Sequence, residues 1–222
     1  MKNEKRTAWI LHFQEINKLM EDQLEKWKSI TEIRKTYDEF IKNLKKLKDL
    51  QPDLEKNLGP VHDELEEKRE YLIGKIFPVT NILAVYISDN KSKNGARSMI
   101  LGREEFSRLK HAKLLDFAGR MLKTTEKYFP DPVQEDSELS RYGLTPIMVD
   151  EFSTALTKYA YALKLSKDLL RNRSRSKKTS NRLLKANREL LEKRLDRLMT
   201  VFSVTHPSFY KDYINIRKAK VA

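Results

Sequence analysis

The sequence predicts an all-α protein, an up-and-down antiparallel bundle of four to five long helices with a short C-terminal helix. Three observations carry this expectation. Apolar residues recur every three or four positions along most of the chain. No Asn-Gly hairpin between alternating runs and no β-branched block points to a sheet. Glycine and proline are scarce, at 6 and 7 of 222 residues, and the mixture of 35% charged and 39% hydrophobic residues suits amphipathic helices with wide solvated faces. One domain over residues 1–222 is expected, long enough to bury a core.

The first stripe runs from Trp9 through Phe13, Ile16, Met20, Leu24, Trp27, Ile30, Ile33, Tyr37, Phe40 and Leu44 to Leu47. It crosses Ser29 and Thr31 in phase, so the spacing predicts one helix over about 5–50, ending before Pro52. Trp9 and Trp27 then lie five turns apart on one face. A helix of that length outreaches its neighbours, which suggests a coiled-coil seam to a second copy and a homodimer. The second helix is expected over 60–88. Gly59-Pro60 opens it, the acids Asp63, Glu64, Glu66 and Glu67 sit near its positive end, and Pro78 kinks or divides it. Ser88 to Gly95 reads as a turn-rich connector. A third helix is expected over 102–128, stopping at Phe129-Pro130, and the polar stretch 130–143 reads as a loop.

Thr145-Pro146 supplies a capping residue and a first-turn proline for a fourth helix over 145–172. The apolar pattern fails between Arg171 and Arg182, which predicts either a loop or a helix projecting with nothing to pack against. It resumes over 180–205, and a last helix is expected over 207–217. There the aromatics Phe209, Tyr210 and Tyr213 are expected to fold back over the open end of the bundle.

Zero cysteines exclude disulfides, thiolate metal sites and a thiol nucleophile. The apolar run Ala8 to Leu11 is too short for a signal-peptide core, and no stretch is read as approaching the length of a membrane span; a cytoplasmic protein is expected. The four histidines, His12, His62, His111 and His206, form neither Glu-x-x-His nor His-Glu-x-x-His. His62 and Glu66 are helical neighbours, two candidate ligands that do not make a metal site. The acidic cluster 63–67 is explained by its helix start. Glycine-rich phosphate loops and a Gly-x-Ser-x-Gly elbow are absent. No catalytic, cofactor-binding or metal residues are therefore expected, and the chain is not expected to be an enzyme.

Three C-terminal features resemble a group of uncharacterised all-helical bacterial proteins of similar length: Tyr142-Gly143-Leu144-Thr145 opening a helix, Leu195-Asp196-Arg197-Leu198-Met199 followed by Phe202, and Phe209-Tyr210 with Tyr213 and Arg217. A long first helix and Lys68 shortly after a Gly-containing turn are similar as well. The resemblance implies a helical bundle and carries no activity.

The strongest functional signal is a basic block. Arg171, Arg173, Arg175, Lys177, Lys178, Arg182, Lys185 and Arg188 occur without an acidic residue between them, and 11 of the 13 net positive charges lie from Thr145 onward. If helical, Arg171, Arg175, Lys178, Arg182 and Lys185 share one face about 20 Å long, suited to a phosphate backbone. Ser174, Ser176, Thr179 and Asn181 are candidates for neutral phosphate contacts. No aromatic residue lies near to stack on bases, and no sequence-reading motif is present. The expected function is non-enzymatic interaction or scaffolding with an unknown protein partner; the alternative is sequence-independent nucleic-acid binding through 171–188. Membrane-surface binding is disfavoured, because 171–182 has no bulky apolar face.

Overall fold

Apolar spacing decides which residues are buried, and the places where the backbone leaves the helix decide what they are buried against. A computed structural model describes residues 3–90, 101–128 and 138–219. Helices make up almost all of it, with no strand among the described residues, so the chain is all-α. The residues group into two compact units, Met1–Lys56 with Leu170–Ala222, and Asn57–Leu169. Where one core over 1–222 is expected, each unit has its own hydrophobic cluster.

In the first unit the single helix expected over 5–50 does not form. It is replaced by α1 (Asn3–Asp22), the one-turn α2 (Leu24–Trp27), α3 (Thr31–Asp49) and α4 (Gln51–Glu55). Gln23 departs from helical dihedrals and Ile30 is extended, with ψ of 100°. The chain therefore reverses, and the two halves of the stripe face each other. Phe13 meets Phe40 edge-on at 5.5 Å, and the Tyr37 hydroxyl donates to Asn17 Oδ1 at 2.8 Å, which sets α1 and α3 antiparallel. Trp27 donates its indole N–H to the Met20 carbonyl at 2.8 Å, satisfying a group that the end of α1 leaves open. Reversal buries Phe13, Ile16, Met20 and Phe40 fully, each worth about 1.5–3 kcal/mol. This is why phase alone misled: a stripe in register can be one helix or two helices that close on each other. The premise of a protruding seam for a second copy goes with it.

Helix α8 (Pro146–Leu190) is continuous, so of the two alternatives expected between Arg171 and Arg182 the loop is absent and the segment is helix. From Leu170 onward it belongs to the first unit. It also packs there. Ser176 and Ser180 are buried, small side chains taking the places that large apolar ones would hold. Ser176 donates to Asp53 Oδ2 at 2.8 Å, Arg173 Nη2 to the Leu54 carbonyl at 3.2 Å and Asn187 Nδ2 to the Phe40 carbonyl at 3.1 Å. With Arg194 reaching Glu32 at 3.1 Å, these pairings run in opposite senses and set this part of α8 antiparallel to α3.

After Asn187, buried positions fall four residues apart at Leu191, Leu195 and Met199. In an ordinary α-helix each such step drifts by about 40°. A π-helical turn at Leu191–Leu195 widens the coil and absorbs that drift. Two short helices follow, α9 (Asp196–Met199) and α10 (Phe202–Thr205), and then α11 (Pro207–Lys218). Asp196 accepts the Tyr213 hydroxyl at 2.5 Å and a two-pronged Arg217 pair at 2.8 Å on each oxygen. Phe209, 5.2 Å from Phe202, is buried with Tyr213, so these two aromatics do cover the core.

In the second unit α5 (Gly59–Asn90) passes through Pro78 as one helix. Around the proline, Thr80 bonds the Ile76 and Phe77 carbonyls at 3.1 and 3.0 Å, and Asn81 bonds Phe77 at 2.8 Å. Because the helix starts at Gly59, the acids 63–67 lie beyond its first turn, and the helix-start explanation for them is withdrawn. The reading that no stretch approaches a membrane span is also corrected: within Thr31–Asn90 one 18-residue window reaches mean hydropathy 1.4, and half of it is buried inside the chain. The helix expected over 102–128 is two, α6 (Arg103–Arg108) and α7 (His111–Tyr128). At the break, buried Arg69 donates to the Ser107 and Leu109 carbonyls at 2.7 and 2.5 Å, replacing the helical bonds lost there.

Gly143 adopts φ of +85°, the only such glycine among the described residues, and ends a 3-10 turn at Glu138–Tyr142. Thr145 then caps α8 through the Met148 N–H at 3.2 Å, as its sequence foretold. The connector expected from Ser88 is helix as far as Asn90. Residues 91–95 and 130–137, expected as connector and loop, lie outside the described residues.

Two stability outcomes follow from buried polar atoms. The Ser180 hydroxyl has no hydrogen-bond partner among the described residues, so Ser180→Ala should leave stability unchanged or raise it by up to about 1 kcal/mol in denaturant melts. Asp196→Ala strands Tyr213 and Arg217 and should cost about 3 kcal/mol by the same measurement.

Candidate polyanion-binding surface

Dividing the charges between the two units sharpens the signal seen in the sequence. Lys and Arg outnumber Asp and Glu 28 to 15 in the first unit and balance 17 to 17 in the second, so the net charge of +13 belongs to the first unit. A cut in sequence at Thr145 places only 11 of those charges together, because the first unit combines both ends of the chain.

Helix α8 concentrates part of this charge on a ridge. Arg171, Arg175, Lys178, Arg182 and Lys185 are all exposed, at steps of four, three, four and three residues. The opposite face of the helix carries Ser176, Ser180, Leu183, Leu184 and Asn187 inward. Burial of that face therefore fixes the direction of the cations. Lys177 is exposed on the flank. The other two candidates are used inside the chain: Arg173 holds the Leu54 carbonyl, and the Arg188 guanidinium stacks over Trp9 at 4.7 Å. Among the described residues Arg171, Arg175, Lys177, Lys178 and Arg182 form no salt bridge, while Lys185 lies 3.9 Å from Glu189, which also faces Lys193 at 3.8 Å. Lys185, at the end of the ridge, is thus the one of the five that shares a carboxylate.

Of the neutral residues expected to assist, Ser174 is exposed and Thr179 half-buried. Ser176 is committed to Asp53, and Asn181 accepts from Arg6 at 3.5 Å. These two do not line the ridge. The sequence could have revealed this, since Arg173, Ser176, Ser180 and Leu184 continue the helical period that appears to lapse there.

The remaining titratable groups make two clusters. In the first unit His12 is buried, and desolvation followed by the Arg217 charge holds it below the ordinary histidine value. In the second, His111 Nδ1 lies 2.8 Å from the Tyr159 hydroxyl and 3.4 Å from Arg69 Nη1, and its Nε2 lies 3.6 Å from Glu66 Oε1. Burial, then Arg69, lowers the His111 pKa, and burial raises Tyr159 to about 12. Among the described residues no three His, Asp or Glu side chains already converge as metal ligands. No family model, curated protein or solved structure matches the chain.

The histidine shifts fix the sign of an acid response. Both folded-state values lie below the unfolded value of about 6.5, so the unfolded chain binds more protons as pH falls. The histidine contribution to stability should be constant above that value and decline progressively below it. Thermal melts across this range should show the decline, and His111→Gln should make it shallower.

Proposed function

We propose that this chain is a non-enzymatic interaction protein that contacts nucleic-acid backbones, without reading sequence, through the ridge Arg171, Arg175, Lys178, Arg182 and Lys185. One observation carries the reading: a continuous helix presents these five cations on its solvent face, four of them free of salt bridges among the described residues. Their spacing along the axis averages about 5 Å, so one ridge follows a strand over several phosphates. The net charge of the first unit adds long-range attraction. Both units read as small antiparallel bundles. No aromatic residue lies on the helix between Arg171 and Lys185, which favours duplex backbone over unpaired bases.

Fluorescence anisotropy with a labelled random-sequence duplex tests this across a salt series. Four to five phosphate contacts give a log–log slope of about −4. The variant Arg171→Gln, Arg175→Gln, Lys178→Gln, Arg182→Gln should bring the slope to about −1 and weaken binding equally for unrelated sequences. No binding at about 50 mM salt, or a slope unchanged in the variant, excludes the ridge.

A further inference from the structure

Two acid-free basic stretches of the first unit lie far apart in sequence and side by side in the fold. The first half of α3 is mixed, with Arg34 and Lys35 against Glu32, Asp38 and Glu39. Its second half, from Phe40 to Lys48, carries Lys42, Lys45, Lys46 and Lys48, all exposed, and no acid. Asn187 at the Phe40 carbonyl and Arg194 at Glu32 fix the antiparallel register with α8, and Ser176 at Asp53 keeps it. Lys42 therefore lies level with Lys185 and Lys46 with Arg182, while the mixed half of α3 falls beyond the ridge. We infer that Lys42 and Lys46 are a second phosphate-contacting row, which together with the ridge seats the two strands of a DNA duplex on either side of the α3–α8 seam, its minor groove over the seam. This rests on the ridge as the nucleic-acid contact and adds the residues that hold the second strand.

The helical period decides which lysines face the seam. Glu32 reaches Arg194 at 3.1 Å with both side chains half-exposed, so it marks the solvent edge of α3 next to α8. Lys46 stands about four turns farther along nearly the same line, and Lys42, about one turn before it, points more directly to solvent. Lys45 and Lys48 turn toward the other edge, where Tyr37 meets Asn17 of α1. Among the described residues Lys42 and Lys46 form no salt bridge, whereas Lys35 is held by Glu32. Packed helix axes lie about 8–10 Å apart, and a B-DNA minor groove leaves about 6 Å between its phosphate walls, so cations on either side of the seam reach one wall each. The major groove, at about 12 Å, is a poorer match. The seam residues Asn43 and Thr179 are short and half-buried, which keeps it low between the rows. Asp53 is engaged by Ser176, and exposed Asp49, just past Lys46, limits the second row to two cations.

Anisotropy titrations of the full-length chain, with a DNA duplex and with an unstructured single strand of the same length, test the second row separately from the ridge. On the duplex the log–log salt plot should be steeper by about two than the ridge alone provides, and the double variant Lys42→Gln, Lys46→Gln should remove that excess. Single-strand binding, which needs one row only, should be unchanged in that variant. Lys42→Arg, Lys46→Arg keeps the charges and should keep the duplex slope. Lys18→Gln, Lys211→Gln removes as much charge from the same unit outside both rows and should leave the duplex slope at its wild-type value. These positions are exposed, so melting temperatures should not move. A duplex slope unchanged by Lys42→Gln, Lys46→Gln overturns the second row and leaves the ridge standing, provided the four-cation ridge variant still loses binding. Equal weakening on duplex and single strand, or an equal effect of Lys18→Gln, Lys211→Gln, also overturns it. Absence of duplex binding by the wild-type chain overturns both rows together.

Discussion

The face of α8 that is buried from Arg173 to Asn187 governs what the rest of the first unit can do. A long helix carrying a dense run of cations can bury only those positions whose side chains are small or can be satisfied. Here these are Ser176, Ser180 and Asn187, with Leu183 and Leu184 between them. Asp53, the Leu54 carbonyl and the Phe40 carbonyl supply partners from α4 and α3. Because that face is committed inward, the opposite face must carry Arg171, Arg175, Lys178, Arg182 and Lys185 outward. The same packing that stabilises the unit therefore makes its basic surface directional.

The C-terminal motifs acquire a physical meaning from the turn that follows. The π turn at Leu191–Leu195 keeps Leu191, Leu195 and Met199 in the core and aims Asp196 at α11. Asp196, Tyr213 and Arg217 then form a charge-assisted lock whose parts lie in two separate sequence motifs. Tyr142 and Gly143 have an equally structural role. Gly143 supplies a left-handed turn, and Tyr142 packs edge-on against Tyr86 at 5.5 Å while contacting Asp89 and Asn90. These residues build the fold.

Legibility varied with the kind of signal. Helix content, the cap at Thr145 and the final helix followed from local chemistry, since capping hydroxyls and prolines act over one turn. The break between α6 and α7 left no comparable trace. Ser107-Arg108-Leu109-Lys110 contains no glycine or proline, and the break is supported by Arg69, some forty residues away. The polar cluster around His111 was hidden for the same reason, because its members come from α5, α7 and α8.

Sequence alone determined that the chain is helical, which side chains are apolar on each helix, and that positive charge is concentrated near residues 171–188. Period and composition are properties of neighbouring residues, and a single helix already expresses them. Tertiary structure decided where the first stripe doubles back, which of two cores each helix joins, and which of the eight cations remain in solvent. Those outcomes depend on partners distant in sequence: Phe40 for Phe13, Asp53 for Ser176, Leu54 for Arg173 and Trp9 for Arg188. Local periodicity is compatible with several such pairings, and only the free energy of burying one face against another selects among them.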